Sequence, residues 1–166
     1  MKAVLLVVNP KDCSLIASGK KTLIVRKNKP KLKTPFKCYI YCTLQGSTEF
    51  FKEELNGDIA KWNKGNWGNK KGKVIGEFVC ATYIVDKTFG HDPLMYAAAC
   101  MSATDVASYC TNKEMYGWHI SNPVFYDTPK ELNEFEKPYG TIIKAFDSRY
   151  IQKVPFNWCY VEELCC

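Results

Sequence analysis

Apolar residues fall along the chain in short runs, some unbroken and some alternating, and this pattern predicts strands with a few short helices between them. AVLLVV at 3–8 is unbroken, as in a strand buried on both faces. In NPKDCSLIASG, Asn9 suits an N-cap, Pro10 the first helical position and Gly19 the stop, so a helix is expected over 10–18. KTLIVR at 21–26 alternates: Leu23 and Val25 point into the core, while Thr22, Ile24 and Arg26 point the other way. FKCYIYCT and KVIGEFVCATYIVD read as strands, the second bulged at Gly76. TEFFKEEL, DPLMYAAAC and SATDVASYC read as helices, the last with Ser102 and Asp105 in a variant of the capping box. WHISNPVFYD and NWCYVEE complete the strands. The Gly/Asn/Lys loop KWNKGNWGNKKGK has no period, and residues 128–153 fit neither template. Strands that do not alternate with helices in βαβ order predict an α+β fold, a small mixed or antiparallel β-barrel with short helices over its openings.

Length and composition narrow the class. The chain has 166 residues, 46% hydrophobic and 24% charged, an ordinary balance for one globular domain over 1–166. No window approaches the roughly 18 apolar residues of a membrane span, and the N-terminal apolar run is too short for an export signal. The expectation is a cytoplasmic monomer without membrane contact. The nine cysteines lack framework or ligand spacing and are expected as reduced, mostly buried thiols. Cys38 and Cys42 share a strand face but lie about 13 Å apart, too far to share one tetrahedral ion directly. No metal and no cofactor is expected.

Charge changes the picture. Residues 1–75 carry sixteen Lys or Arg against five acids, and residues 76–166 carry seven against twelve. One strongly basic half suggests a polyanionic partner, with nucleic acid first. The densest stretch holds Lys20, Lys21, Arg26, Lys27, Lys29, Lys31 and Lys33 and no acid. A solvated face accounts for such a run equally well, and Lys20 and Lys21 also follow a helix C-terminus, where cations are favoured.

Several pieces in order resemble one family. They are Gly19, Lys21 and Arg26 in a G-x-K-x-x-x-x-R arrangement, then YIYCT, KVIGEF, YGWHIS, YDTPKELNEF and NWCYVEEL. Together they resemble the ASCH domain of the PUA-like superfamily, in the form common in prophages. The likeness leaves out the basic loop near 61–73 and a second variable stretch near 136–155. It implies a PUA-like barrel and association with RNA. A few members of that family hydrolyse acetylated cytidine or cleave RNA. The usual pattern has Glu where this chain has Ile24, and Ile24 can be neither base nor nucleophile.

Two functions from different classes follow. As a binding module for RNA or a nucleotide, the chain would use Lys20, Lys21, Arg26, Tyr41, Trp118 and His119, cations and rings of the kind that hold phosphates and unstacked bases. As a small hydrolase it would use Lys21, Glu77 and His119, with Glu77 the first candidate partner for Arg26. The missing acid at Ile24 favours binding. Trp62 and Trp67 combine rings with cations in the 61–73 loop, and His91 in FGHDP reads as part of a turn.

Overall fold

The first apolar run forms β1 (Lys2–Val8), parallel to β3 (Phe36–Cys42) on one side and antiparallel to β6 (Trp158–Glu162) on the other. A computed structural model describes residues 1–45, 70–87, 92–110, 113–141 and 147–164. TEFFKEEL, Trp62, Trp67, His91, Cys165 and Cys166 lie outside the described residues. With β2 (Leu23–Arg26), β4 (Lys73–Asp86) and β5 (Met115–Lys130), the described strands make one mixed sheet, ordered β2-β5-β4-β3-β1-β6. Among the described residues three α-helices accompany it: α1 (Pro10–Ala17), α2 (Pro93–Ala98) and α3 (Ala103–Tyr109). None of them is long and apolar enough to cross a membrane.

The caps follow the local signals. The Asn9 side chain accepts from the Asp12 N–H at 2.8 Å, Pro10 opens α1, and Gly19 takes a φ of 71° just beyond the C-cap Ser18. Ser102 and Asp105 form both bonds of the capping box that opens α3.

Side-chain alternation divides the core between two sheet faces. Val4, Leu6 and Val8 share the inner face with Cys38, Ile40 and Cys42, and Cys13 and Ile16 bring α1 down onto it. Leu5 and Tyr39 pack on the other face against Phe135 and Ile151. At the β2 end, Leu23 and Val25 pack against Met95 and Ala99. Ile24 is as buried as its neighbours, but on the inner face with Trp118. Both faces of β2 are therefore covered, whereas the alternation in KTLIVR suggests one open face.

The sheet is curled. Trp118 of β5 and Trp158 of the edge strand β6 meet edge to face with centroids 6.0 Å apart. From the other edge, Arg26 of β2 donates to the Val7 carbonyl of β1 at 2.6 Å. Among the described residues no ladder joins β2 to β6, so the expected barrel is seen as an open, curled sheet with α1 on its inner face. Bulges supply the curvature. Ile40 pairs with Gly76 but Tyr41 with Val74, which places the extra residue at Ile75, next to the expected Gly76. A second irregularity, between Ser121 and Val124, accommodates Asn122 at a φ of 49° and Pro123 inside a long strand.

Two outcomes follow from this packing. A Cβ at Gly76 would collide with the Val124 carbonyl and crowd Phe125, so Gly76→Ala should cost about 1–3 kcal/mol, read as a lower urea midpoint. Burial pushes the Cys38 thiol well up, that of Cys80 to about 12 and that of Cys159 to about 11. Unfolded thiols ionise near about pH 8.5, so above it the unfolded chain holds fewer protons than the native one, and stability falls as pH rises. Thermal midpoints should therefore drop between about pH 9 and 11, less steeply in Cys80→Ala; an identical slope in that variant would refute the assignment.

Candidate functional site

The chain turns through Gly19 and enters β2 with Lys21 directed inward: its backbone N–H donates to the Leu15 carbonyl at 2.9 Å, and the residue is only 5% exposed. The ammonium donates to the carbonyl of Ala99, the C-cap of α2, and pairs with Asp12 Oδ1 at 3.3 Å. Lys21 thus complements the C-terminus of α2, not that of α1 as its place in the sequence suggests. Lys20 is exposed, and its carbonyl accepts from the Cys100 thiol at 3.3 Å.

Arg26 closes β2, an edge strand that among the described residues has β5 as its one ladder partner. Its Nη2 is committed to Val7, whereas its Nε is buried and has no partner among the described residues. Between α1, β2 and α3 lies a cleft of about 350 Å³. Lys11, Lys21 and Arg26 line it together with Asp12, Asp105 and the ring of Tyr109. Hydrogen bonds from Ser102 hold the Asp105 carboxyl below its usual range, and the charges of Lys11 and Lys21 act in the same direction. Cys100, at a left-handed φ of 52°, forms part of the wall where α2 gives way to α3.

The structure brings Lys21 and Arg26 together in this cleft and leaves the other candidates elsewhere. Glu77 does not approach Arg26: it pairs with Lys37 at 3.0 Å and accepts from the Tyr126 hydroxyl. Its strand partner is Tyr39, a residue of the outer core. Alternation is the physical reason, since Glu77 adjoins Phe78, which faces the inner core, and so points to the opposite face; the bulge at Ile75 is why it does not share the face of Ile75. Tyr41 is buried on that outer side as well. His119 is half-buried on β5 with Nδ1 at 2.9 Å from the Ser121 hydroxyl. Trp118 is fully buried between Phe36, Tyr83 and Trp158.

Asp12, Asp105 and Tyr109 escape a sequence reading because each has a local explanation. Asp12 stands in the first turn of α1, Asp105 belongs to a capping box, and Tyr109 ends an ordinary short helix. Their convergence depends on how α3 settles beside α1, which no local pattern encodes. Among the described residues no group of three or more His, Cys, Asp or Glu is placed to hold a metal ion.

No family model matches the sequence, and no curated protein matches it. Solved structures do. ASCH from Zymomonas mobilis superposes with a TM-score of 0.60 at 15% identity, over 97% of this chain and 88% of that one. A serine-to-alanine variant of that protein gives 0.59 at 14% identity, over 97% and 89%. A tyrosine-to-phenylalanine variant gives 0.52 at 14%, over 81% and 78%. The chain has the fold of these ASCH structures.

The doubled engagement of Lys21 sets an expectation for stability. Lys21→Ala leaves the Ala99 carbonyl and Asp12 without their partner and should cost about 1–3 kcal/mol. Lys20→Ala, on the exposed neighbour, should stay within about 0.5 kcal/mol of the parent. Urea denaturation of the two variants checks the contrast, and equal effects would refute it.

Proposed function

We propose that the protein is a PUA-like ASCH module that binds RNA or a nucleotide in the cleft between α1, β2 and α3. The observation that carries this is Arg26, which lines the cleft and has a buried Nε without a partner among the described residues. Buried donors are nearly always paired, and an orphan calls for an explanation. An anionic ligand supplies one: a guanidinium offers a fork of donors that matches two phosphate oxygens. Lys21 holds the cleft together by joining α1 to the C-terminus of α2. Tyr109, with the Lys27 ammonium 4.9 Å from its ring centroid, offers a base-sized surface beside a cation. We read the curled sheet as a PUA-like barrel whose seam is bridged by the Arg26 side chain instead of a strand ladder, and residues 1–166 as one such domain.

One contact favours a second reading, hydrolysis of a modified nucleoside such as acetylcytidine. The carboxylate that the ASCH pattern carries at the position of Ile24 is absent from β2, but Asp12 supplies one from α1, 3.3 Å from the motif lysine. Asp12 would then activate water and Lys21 would steady the developing negative charge. Glu77 and His119 have no part in this arrangement.

Binding is expected to weaken with salt by a log–log slope of roughly −0.7 per phosphate contacted, measured by titration with single-stranded RNA. Arg26→Lys keeps the charge but loses the fork and should weaken binding about tenfold. No affinity at about 50 mM salt, where such contacts are strongest, would reject the binding reading. Turnover of acetylcytidine that is lost in Asp12→Asn would instead establish the second.

A further inference from the structure

The loop that follows Arg26 is held in place. Pro30 is buried, Leu32 packs against the inner core, and the Lys31 backbone N–H donates to the Tyr160 hydroxyl at 2.7 Å. Trp158 Nε1 donates to Asn28 Oδ1 at 3.1 Å. The Lys29 ammonium stands 5.3 Å from the Tyr83 ring centroid and 5.6 Å from that of Tyr116, and Lys27 is held over Tyr109. Lys27, Lys29, Lys31 and Lys33 are all exposed, and none has an acidic partner among the described residues. Four like charges would spread apart on a free loop. Here aromatic rings and buried anchors keep them in a ridge.

The ridge runs between two concave sites. At its start, Arg26 and Tyr109 line the cleft already described. At its end, Lys33 lines a second groove of about 390 Å³. Leu32, Pro35 and Phe36 form apolar walls there, with Lys2 beside Lys33, while Lys37 in the same lining is paired with Glu77 and with Glu163, which also borders the groove. Cations at the rim of an apolar slot suit a base stacked inside with its phosphate outside.

We infer that the protein binds a single RNA strand running from the Arg26 cleft along the lysine ridge at 27–33 into the groove at Lys33. One end of the track rests on the cleft reading above. The two sites share no lining residue, so a ligand that reaches both is an oligonucleotide and not a mononucleotide, and the seven residue steps from Arg26 to Lys33 bound its path at about 25 Å. The loop does not read bases: its lysines contact phosphates and fix the path of the strand.

The test compares uridine monophosphate with single-stranded RNAs of about 4, 8 and 12 nucleotides, lengths typical of such tracks. Affinities are measured by fluorescence anisotropy, for the mononucleotide by competition. The parent is compared with Lys31→Ala/Lys33→Ala, whose altered side chains are exposed, and with Arg26→Lys; unchanged melting midpoints confirm folding. The octamer should bind at least about tenfold more tightly than the mononucleotide. The double variant should flatten the salt slope of octamer binding by about 1.4. Equal affinity at every length, or an unchanged slope, overturns the track while the cleft reading stands. Length-dependent binding that ignores Arg26→Lys, with no mononucleotide binding, preserves the ridge and overturns the cleft. Polyglutamate competing as well as RNA shows a general polyanion surface and overturns the assignment to RNA, and binding of no RNA overturns both readings.

Discussion

Lys21 is the joint on which the cleft depends. A buried ammonium is costly unless its donors are satisfied, and this one is satisfied by groups from two different elements, the Asp12 carboxylate of α1 and the Ala99 carbonyl of α2. Its own backbone follows the α1 turn into β2, so a single residue fixes the relation of three elements. The cleft is the space left between those elements and α3. Removing the cation would not only take a charge from the wall but also release the walls from each other.

The curl of the sheet adds the second constraint. Trp118 fills the interior between strands that are not ladder neighbours, and Arg26 crosses from one edge to β1. A flat sheet would place the two edges far apart and leave the loop after β2 in solvent. In the curled sheet that loop meets Trp158 and Tyr160 of the opposite edge. The basic run is therefore structured by the same closure that makes the inner core. Its lysines are exposed as a solvated face would be, but Lys27 and Lys29 are held over rings and the Lys31 backbone is tied to Tyr160.

Much of the fold is legible in local chemistry. Asn9, Pro10 and Gly19 bound α1, Ser102 and Asp105 open α3, and alternation places Cys38, Ile40 and Cys42 on one face. The site is less legible, because it depends on parity and on distant packing. Counting by twos from Ile75 would put Glu77 on the inner face; the bulge at Ile75 breaks the count and sends Glu77 to Lys37. Counting along KTLIVR predicts an open side for Ile24, but α2 covers one face of the strand and Trp118 lies against the other. In the first case a bulge breaks the pattern within the strand; in the second the pattern is sound and silent about what packs on it.

That distinction bears on the missing acid. Along the sequence, the replacement of Glu by Ile24 removes the carboxylate from the side of Arg26. In space, the lysine of the same motif already has a carboxylate partner, Asp12, contributed by a helix instead of the strand. An apolar residue at position 24 packs with Trp118 and ties β2 to the inner core, so the strand exchanges a charged group for hydrophobic contact. The guanidinium that would have faced the acid keeps one bond to Val7 and a buried donor without a partner. On the binding reading proposed above, loss of an acid beside one cation and gain of an acid beside the other would shift anion binding in the cleft toward Arg26. Position 24 would then divide labour between the two cations: Lys21 holds the walls together, and Arg26 is left to meet the proposed ligand.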